Sequence, residues 1–150
     1  MALGDYFPES IKEQFSGDNI KIGAVIRAWF HQTIPPKEKR FIIVGIDNDK
    51  ISLGAIFINS AINVNVISTQ ELKDLQYPIS PNNCGFIEHD SYIDCSTLIE
   101  KEYKVIYDLL KDDPTSHLGN ISENDWKKVR LRVKSSRKIS FSKKKKYNLL

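Results

Sequence analysis

The stretch Arg40-Phe41-Ile42-Ile43-Val44-Gly45-Ile46 decides the fold. Its continuous apolar, β-branched run predicts a strand buried on both faces. Asp47-Asn48-Asp49 follows, and such side chains cap their own backbone and tolerate left-handed conformations, so a turn is expected there. Ile51 to Asn59 is a further strand, with Gly54 as a candidate bulge. Upstream, Ile20, Ile22, Ala24, Ile26 and Ala28 alternate with other residues, which predicts a strand with Val25 and Trp29 on its second face. Between these two strands, His31 to Lys39 holds Pro35-Pro36, which excludes a regular central strand and predicts a loop.

Downstream, the pattern is more broken. Asn63 to Val66 alternates as a short strand would. Thr69 to Leu75 has the look of one or two helical turns capped by Ser68 or Thr69. Tyr77 to Asn83 is expected as a loop, and Gly85 to Ile87 and Ser91 to Cys95 as strands. Glu102 to Leu110 fits a helix or a strand, ended by Asp112-Asp113-Pro114. After a turn at Gly119-Asn120, Ser122 is a good N-cap, with Asp125 three residues on. Trp126, Val129 and Val133 then form one apolar stripe, giving an amphipathic helix from Glu123 to about Lys134. The reading divides the chain into an N-terminal extension over 1–19, a barrel domain over 20–134 and a basic, mobile tail over 135–150.

The chain has 150 residues, enough for one domain with its own core. Hydrophobic residues at 41% and charged residues at 27% argue against wholesale disorder. The longest uncharged apolar stretch, Leu53 to Ile67, is too short to span a bilayer and is interrupted by Asn59, Asn63 and Asn65. Met1 to Ser10 carries Asp5 and Glu9 and no apolar core of a signal peptide, so a soluble, cytoplasmic protein without membrane association is expected. Cys84 and Cys95 form no CxxC pair and have no histidine pair at zinc spacing, which reads as two free thiols of a reducing compartment. No P-loop, GxGxxG, HExxH, EF-hand or GxSxG pattern is present, so neither a nucleotide cofactor nor a metal is indicated.

Charge is unevenly spread. Residues 1–126 hold 11 Lys and Arg against 19 Asp and Glu, whereas residues 127–150 hold 11 Lys and Arg and no acid. A basic terminal arm of this kind suits a polyanion through phosphate neutralisation and counterion release, or it lies against the acidic body of its own domain.

The order of elements, and the short motifs along it, resemble the PemK/MazF toxin family. Gly23-Ala24-Val25 stands where that family has Gly-Asp-Val opening its first strand. Lys39-Arg40-Phe41-Ile42-Ile43-Val44 is similar to its Arg-Pro-apolar strand, and Asp90-Ser91-Tyr92-Ile93 to its Asp-Ser-apolar-apolar strand. Leu118-Gly119-Asn120-Ile121-Ser122 with the following helix resembles its closing segment. Ala24 replaces the usual Asp, Phe41 the usual Pro, and residues 61–83 form a long insertion.

The resemblance implies a mainly β fold with a few helices, a small, partly open Src-homology-like β-barrel with a C-terminal amphipathic helix. It also implies a homodimer, single-stranded RNA as substrate, an antitoxin protein as partner, and a metal-independent endoribonuclease of the mRNA interferase type. By position, Arg40 matches the family's catalytic arginine, and its guanidinium offers fixed, bidentate donors to a phosphate. The second catalytic position, a Thr or Ser, falls on Asn59 or Ser60. Asn59 cannot act as a base near neutral pH. His31 lies in the loop beside Arg40, where an imidazole suits a general base. Lys37 and Lys39, with Lys127, Lys128, Arg130 and Arg132, are the expected RNA contacts. His89 and Asp90, adjacent in sequence, are not expected to pair through their side chains. Trp29 is expected in the core, and Trp126 in packing. The rival reading is a non-catalytic nucleic-acid- or protein-binding module on the same barrel, of mobile-element or defence origin. A third makes the acidic body a protein-binding surface.

Overall fold

The structure, a computed structural model, describes residues 7–30, 35 and 37–150. The elements run α1 (Glu9–Asn19), β1 (Ala24–Phe30), β2 (Lys37–Ile46), β3 (Ser52–Asn59), α2 (Gln70–Asp74), β4 (Gln76–Ile79), β5 (Ser91–Asp94), β6 (Ile99–Glu102), α3 (Tyr103–Asp112), β7 (His117–Asn120), α4 (Glu123–Ser135) and α5 (Phe141–Lys146). One antiparallel seven-stranded sheet runs β4-β5-β3-β2-β1-β7, and β6 also pairs with β3. The sheet curls into a half-barrel, in keeping with the expected small, strand-rich fold, and the helices make the whole a mixed α and β structure. No helix among the described residues is long and apolar enough to cross a membrane.

The expected double burial of β2 holds, because alternation sends its side chains to two separate cores. Ile42 and Val44 enter one core with Val25, Ile56, Ile58 and Ile93. Phe41 and Ile43 enter the other with Ile26, Leu53, Ala55, Ile106 and Leu110. Asp47 closes the turn as expected, its carboxylate accepting from the backbone N–H of Ile51 and Ser52 at 2.8 and 3.0 Å. The bulge expected at Gly54 lies instead on β2, where the register shifts between Ile43 and Gly45 and leaves Val44 as the extra residue, with Gly45 opposite Gly54.

Both glycines make room for Tyr147. A Cβ at Gly45 would stand 2.3 Å from Tyr147 Cβ, and one at Gly54 would stand 3.0 Å from its ring. Tyr147 is 1% exposed, and burying such a ring stabilises by roughly 1.5–3 kcal/mol. Its hydroxyl donates to Glu100 at 2.6 Å and lies 2.9 Å from Ser52 Oγ. Leu149 and Ile139 join the same core. The segment 135–150, expected as a mobile tail, is therefore docked. The lysines mask its apolar anchors in sequence, and several are spent within the molecule. Lys144 Nζ caps the carbonyls of Lys134 and Ser136 at 2.7 Å, and Lys146 pairs with Glu100 at 2.9 Å.

The 1–19 segment is likewise integral where it is described. α1 packs on α3, with Lys111 to Glu9 at 2.7 Å and Ser16 Oγ donating to the Tyr107 carbonyl. Phe15 meets the His117 ring edge-on at 6.2 Å.

Other expectations are corrected. β1 begins at Ala24, after Gly23 at φ +91°, so Ile20 and Ile22 precede the strand. Trp29 is 56% exposed, since it lies opposite Glu38 where the strand runs past the core. Asn63 to Val66 forms a turn, Val66 and Ile67 both donating to the Asn63 carbonyl, and Gly85 to Ile87 is not a strand. Tyr77 to Ile79, expected as loop, belong to β4 (Gln76–Ile79), which pairs with β5. Its exposed Pro78 is tolerated because β4 is an edge strand. Gly119-Asn120 belongs to β7. Residues 103–112 are helix, and Ile99–Glu102 ahead of them pairs with β3. Ser122 caps α4 as expected, accepting from the Asp125 N–H at 3.0 Å, and Trp126 packs against the core. Cys84 and Cys95 are free, buried thiols, and burial pushes Cys95 up to about 12.

Two stability predictions follow from this packing. Gly45→Ala is expected to destabilise by about 2 kcal/mol or more through overpacking against Tyr147. Gly17→Ala, in α1 with open space around it, should stabilise by roughly 0.5–1 kcal/mol. Urea melts of both variants check the pair. Burial lowers the pKa of His117 from its ordinary 6.5; Lys21 also lowers it, the Asn120 hydrogen bond opposes, and its Nε2 is buried without a partner among the described residues. The folded state thus favours the neutral ring. Stability should be full above the ordinary value and fall as pH drops from there through the lowered folded value. The urea midpoint of His117→Gln should lose this step.

Candidate functional site

A cleft of about 630 Å³ opens where β2 begins and β3 ends. The turn after β3 roofs it with Ile62, Val66 and Ile67. Glu88, His89 and Ser91 reach it from the approach to β5, and Gln76 and Asp94 from the β4–β5 pair. Of the residues nominated from sequence, Arg40, Asn59, Ser60, Lys37 and Lys39 all line it. His31 lies outside the described residues.

Register sorts these side chains. Arg40 stands opposite Ile58, so alternation puts both on the side of Ile42 and Val44, and turns Lys39 and Asn59 to the other. Arg40 Nη1 donates to the Phe86 carbonyl at 3.3 Å, which holds the guanidinium at the cleft wall and leaves other donors for a ligand. On the opposite face, Lys39 Nζ lies 3.5 Å from Asn59 Oδ1 and 4.6 Å above the Phe57 ring. Partial burial, then neighbouring Lys37, lower the Lys39 pKa, and Asp94 works against them. Glu38 is held by Arg27 at 3.7 Å.

His89 lines the cleft, although the sequence reading set it aside. Its Nδ1 is 3.5 Å from Ser91 Oγ, and that hydroxyl donates to the His89 carbonyl at 3.0 Å. Nδ1 meets the Asp90 backbone carbonyl at 3.4 Å rather than the Asp90 side chain. Asp94 is the other residue missed. Its Oδ1 accepts from Gln76 Nε2 at 2.8 Å, from the Ser96 N–H at 3.0 Å and from the Ser96 hydroxyl. Its only sequence signal is its place between the buried Ile93 and Cys95, which turns it away from the first core.

The basic residues of α4 lie elsewhere. None of Lys127, Lys128, Arg130 and Arg132 lines the cleft. Arg132 stacks on Tyr77 at 4.8 Å and donates to the Lys128 carbonyl at 3.1 Å. Arg130 holds the carbonyls of Asn148 and Leu150 at 3.4 and 3.2 Å. Lys127 pairs with Glu123 at 3.9 Å. Tyr77 donates to Asp125 at 2.6 Å, and burial, reinforced by that carboxylate, pushes its hydroxyl up to about 12. Arg132 and Asp125, through Tyr77, bind α4 to the sheet, and Arg130 binds it to the C-terminal segment. Among the described residues, no three His, Cys, Asp or Glu side chains gather as a metal site.

No protein-family model matches the chain, and no curated protein matches it.

The surroundings of Lys39 give a direct test of the geometry. Its ammonium should titrate below the ordinary lysine value of 10.5 when followed by NMR at its ε-carbon. Asp94→Asn, which removes the opposing charge, should lower the midpoint further; a midpoint that does not move would place Asp94 away from Lys39.

Proposed function

We propose that this chain is an RNA-directed protein of the PemK/MazF kind, acting on single-stranded RNA as a metal-independent endoribonuclease. The observation that carries the reading is that Arg40 and both alternatives for the second catalytic position, Asn59 and Ser60, nominated through the family resemblance, line a single cleft with Lys37 and Lys39. The cleft is large enough for a nucleotide and is polar on most sides, with cations for the phosphates.

In the proposed step the ribose 2′-oxygen attacks the adjacent phosphorus and the bond to the 5′-oxygen breaks, leaving a 2′,3′-cyclic phosphate and a 5′-hydroxyl. Arg40 holds the non-bridging oxygens as charge builds on them. His89 accepts the 2′ proton, a task that the Ser60 hydroxyl cannot perform unaided. The Lys39 ammonium gives the departing 5′-oxygen its proton, which the proton taken up by His89 restores through solvent, and Ser60 donates a hydrogen bond to the phosphate. A homodimer and an antitoxin segment that occupies the cleft belong to the same proposal. The lysines of α4 and α5 without an acidic partner among the described residues, such as Lys128, add non-specific affinity that falls with salt.

The non-catalytic binding module is favoured by one observation: the catalytic hydroxyl position is contested by Asn59, which is already engaged by Lys39. Incubation of the protein with mixed-sequence single-stranded RNA in EDTA separates the two. Discrete cuts ending in cyclic phosphate, reduced about 100-fold or more by Arg40→Ala with the fold intact, are expected of the nuclease. RNA bound and left whole would establish the module instead.

A further inference from the structure

The corner of the cleft formed by β4 and β5 has no part in the proposed chemistry, and its hydrogen bonding is unbalanced. Gln76 and Asp94 are cross-strand partners. All three donors that reach the Asp94 carboxylate, from Gln76 and Ser96, end on Oδ1. Among the described residues none ends on Oδ2. Asp94 is thus a carboxylate whose orientation is fixed by one oxygen and whose other oxygen is unspent, on the wall of a cleft. By strand alternation Lys39 and Asn59 share its face, and Ile62 and Ile67 are apolar members of the same cleft's lining. Apolar side chains pack on the flat face of an unstacked base, while polar groups read its edge.

We propose that Asp94 Oδ2 reads a nucleobase through its exocyclic amino group, so that this corner takes single-stranded RNA presenting cytosine, adenine or guanine and disfavours uracil. The inference rests on the RNA reading given above. Amino groups at cytosine N4, adenine N6 and guanine N2 donate to a carboxylate. Uracil has carbonyl oxygens where those amino groups stand, and its one donor on that edge, N3–H, lies between two of them, so a carboxylate that meets it also faces an acceptor on either side. Lys39, on the same face, is placed to meet the carbonyl or phosphate oxygen of the accepted nucleotide.

The test is binding of 2′-fluoro RNA octamers, which lack the attacking hydroxyl and so stay whole. Octauridine is compared with octamers carrying cytosine, adenine or guanine in the central positions, against the native protein and Asp94→Asn. Asparagine keeps a carbonyl oxygen for Gln76 and Ser96 but turns the cleft-facing oxygen into a donor. The native protein should bind the amino-bearing octamers about tenfold tighter than octauridine. Asp94→Asn should narrow or reverse that order with a gain for octauridine, a gain that misfolding cannot produce. Equal binding of all octamers by the native protein overturns the assignment and leaves the RNA reading standing. So does an order that Asp94→Asn leaves unchanged. Failure of every octamer to bind overturns the RNA reading itself, and this inference with it.

Discussion

β2 and β3 are apolar on both faces, and neither face can be left to water. That requirement organises the molecule. One face is covered by α3, itself braced by α1, with Ile106 and Leu110 set against Phe41, Ile43 and Leu53. The other is covered by β4, β5, α4 and the chain beyond α4, with Val129, Val133, Tyr147 and Leu149 set against Ile42, Val44 and Ile56. The second cover comes from distant parts of the sequence, so it needs fasteners. Glu71 with Arg137, at 2.7 Å, and Ser136 with the Ser96 carbonyl, at 2.7 Å, join its pieces.

The cleft exists because the central strands run farther than their covers. At Lys37 to Arg40 and at Asn59 the sheet continues past both cores, and there its residues turn from apolar to polar. Exposed strand ends with charged side chains are poor stability elements but good binding elements, since their backbone geometry is set by the buried part of the same strands. The three acids in the cleft, Glu38, Glu88 and Asp94, equal in number its Lys37, Lys39 and Arg40, so any ligand must be recognised by the placement of charges rather than by their sum.

What was legible in the sequence follows from how local each signal is. β2, its turn and β3 are written in consecutive residues and were readable, as was the Ser122-capped helix α4. β6 was not, because Ile99-Glu100-Lys101-Glu102 is largely charged and pairs with β3 only through long-range register. β4 was hidden by Pro78. The docked C-terminal segment was hidden by its own lysines, whose charges outweigh Tyr147 and Leu149 in any average over the segment. The same holds for the site. Arg40, Lys39 and Ser60 were named through the family resemblance, whose motifs sit on or beside readable strands. The Gln76 and Asp94 pair could not, since it arises from the β4–β5 register and has no local pattern. His31, named from sequence, falls outside the described residues.

The register shift at Gly45 makes β2 a ruler. From that point the count of residues back to the cleft fixes which face each side chain takes: Ile43 and Phe41 with Lys39, Val44 and Ile42 with Arg40. Removing or adding one residue in this span would exchange the two cores and swap the lysine for the arginine at the cleft. The strand can therefore drift by substitution but not by single-residue changes in length. The turn that roofs the cleft, Ser60 to Ile67, has no such count to keep. Variation in the length of this protein should accumulate in the roof of its cleft while the floor stays fixed.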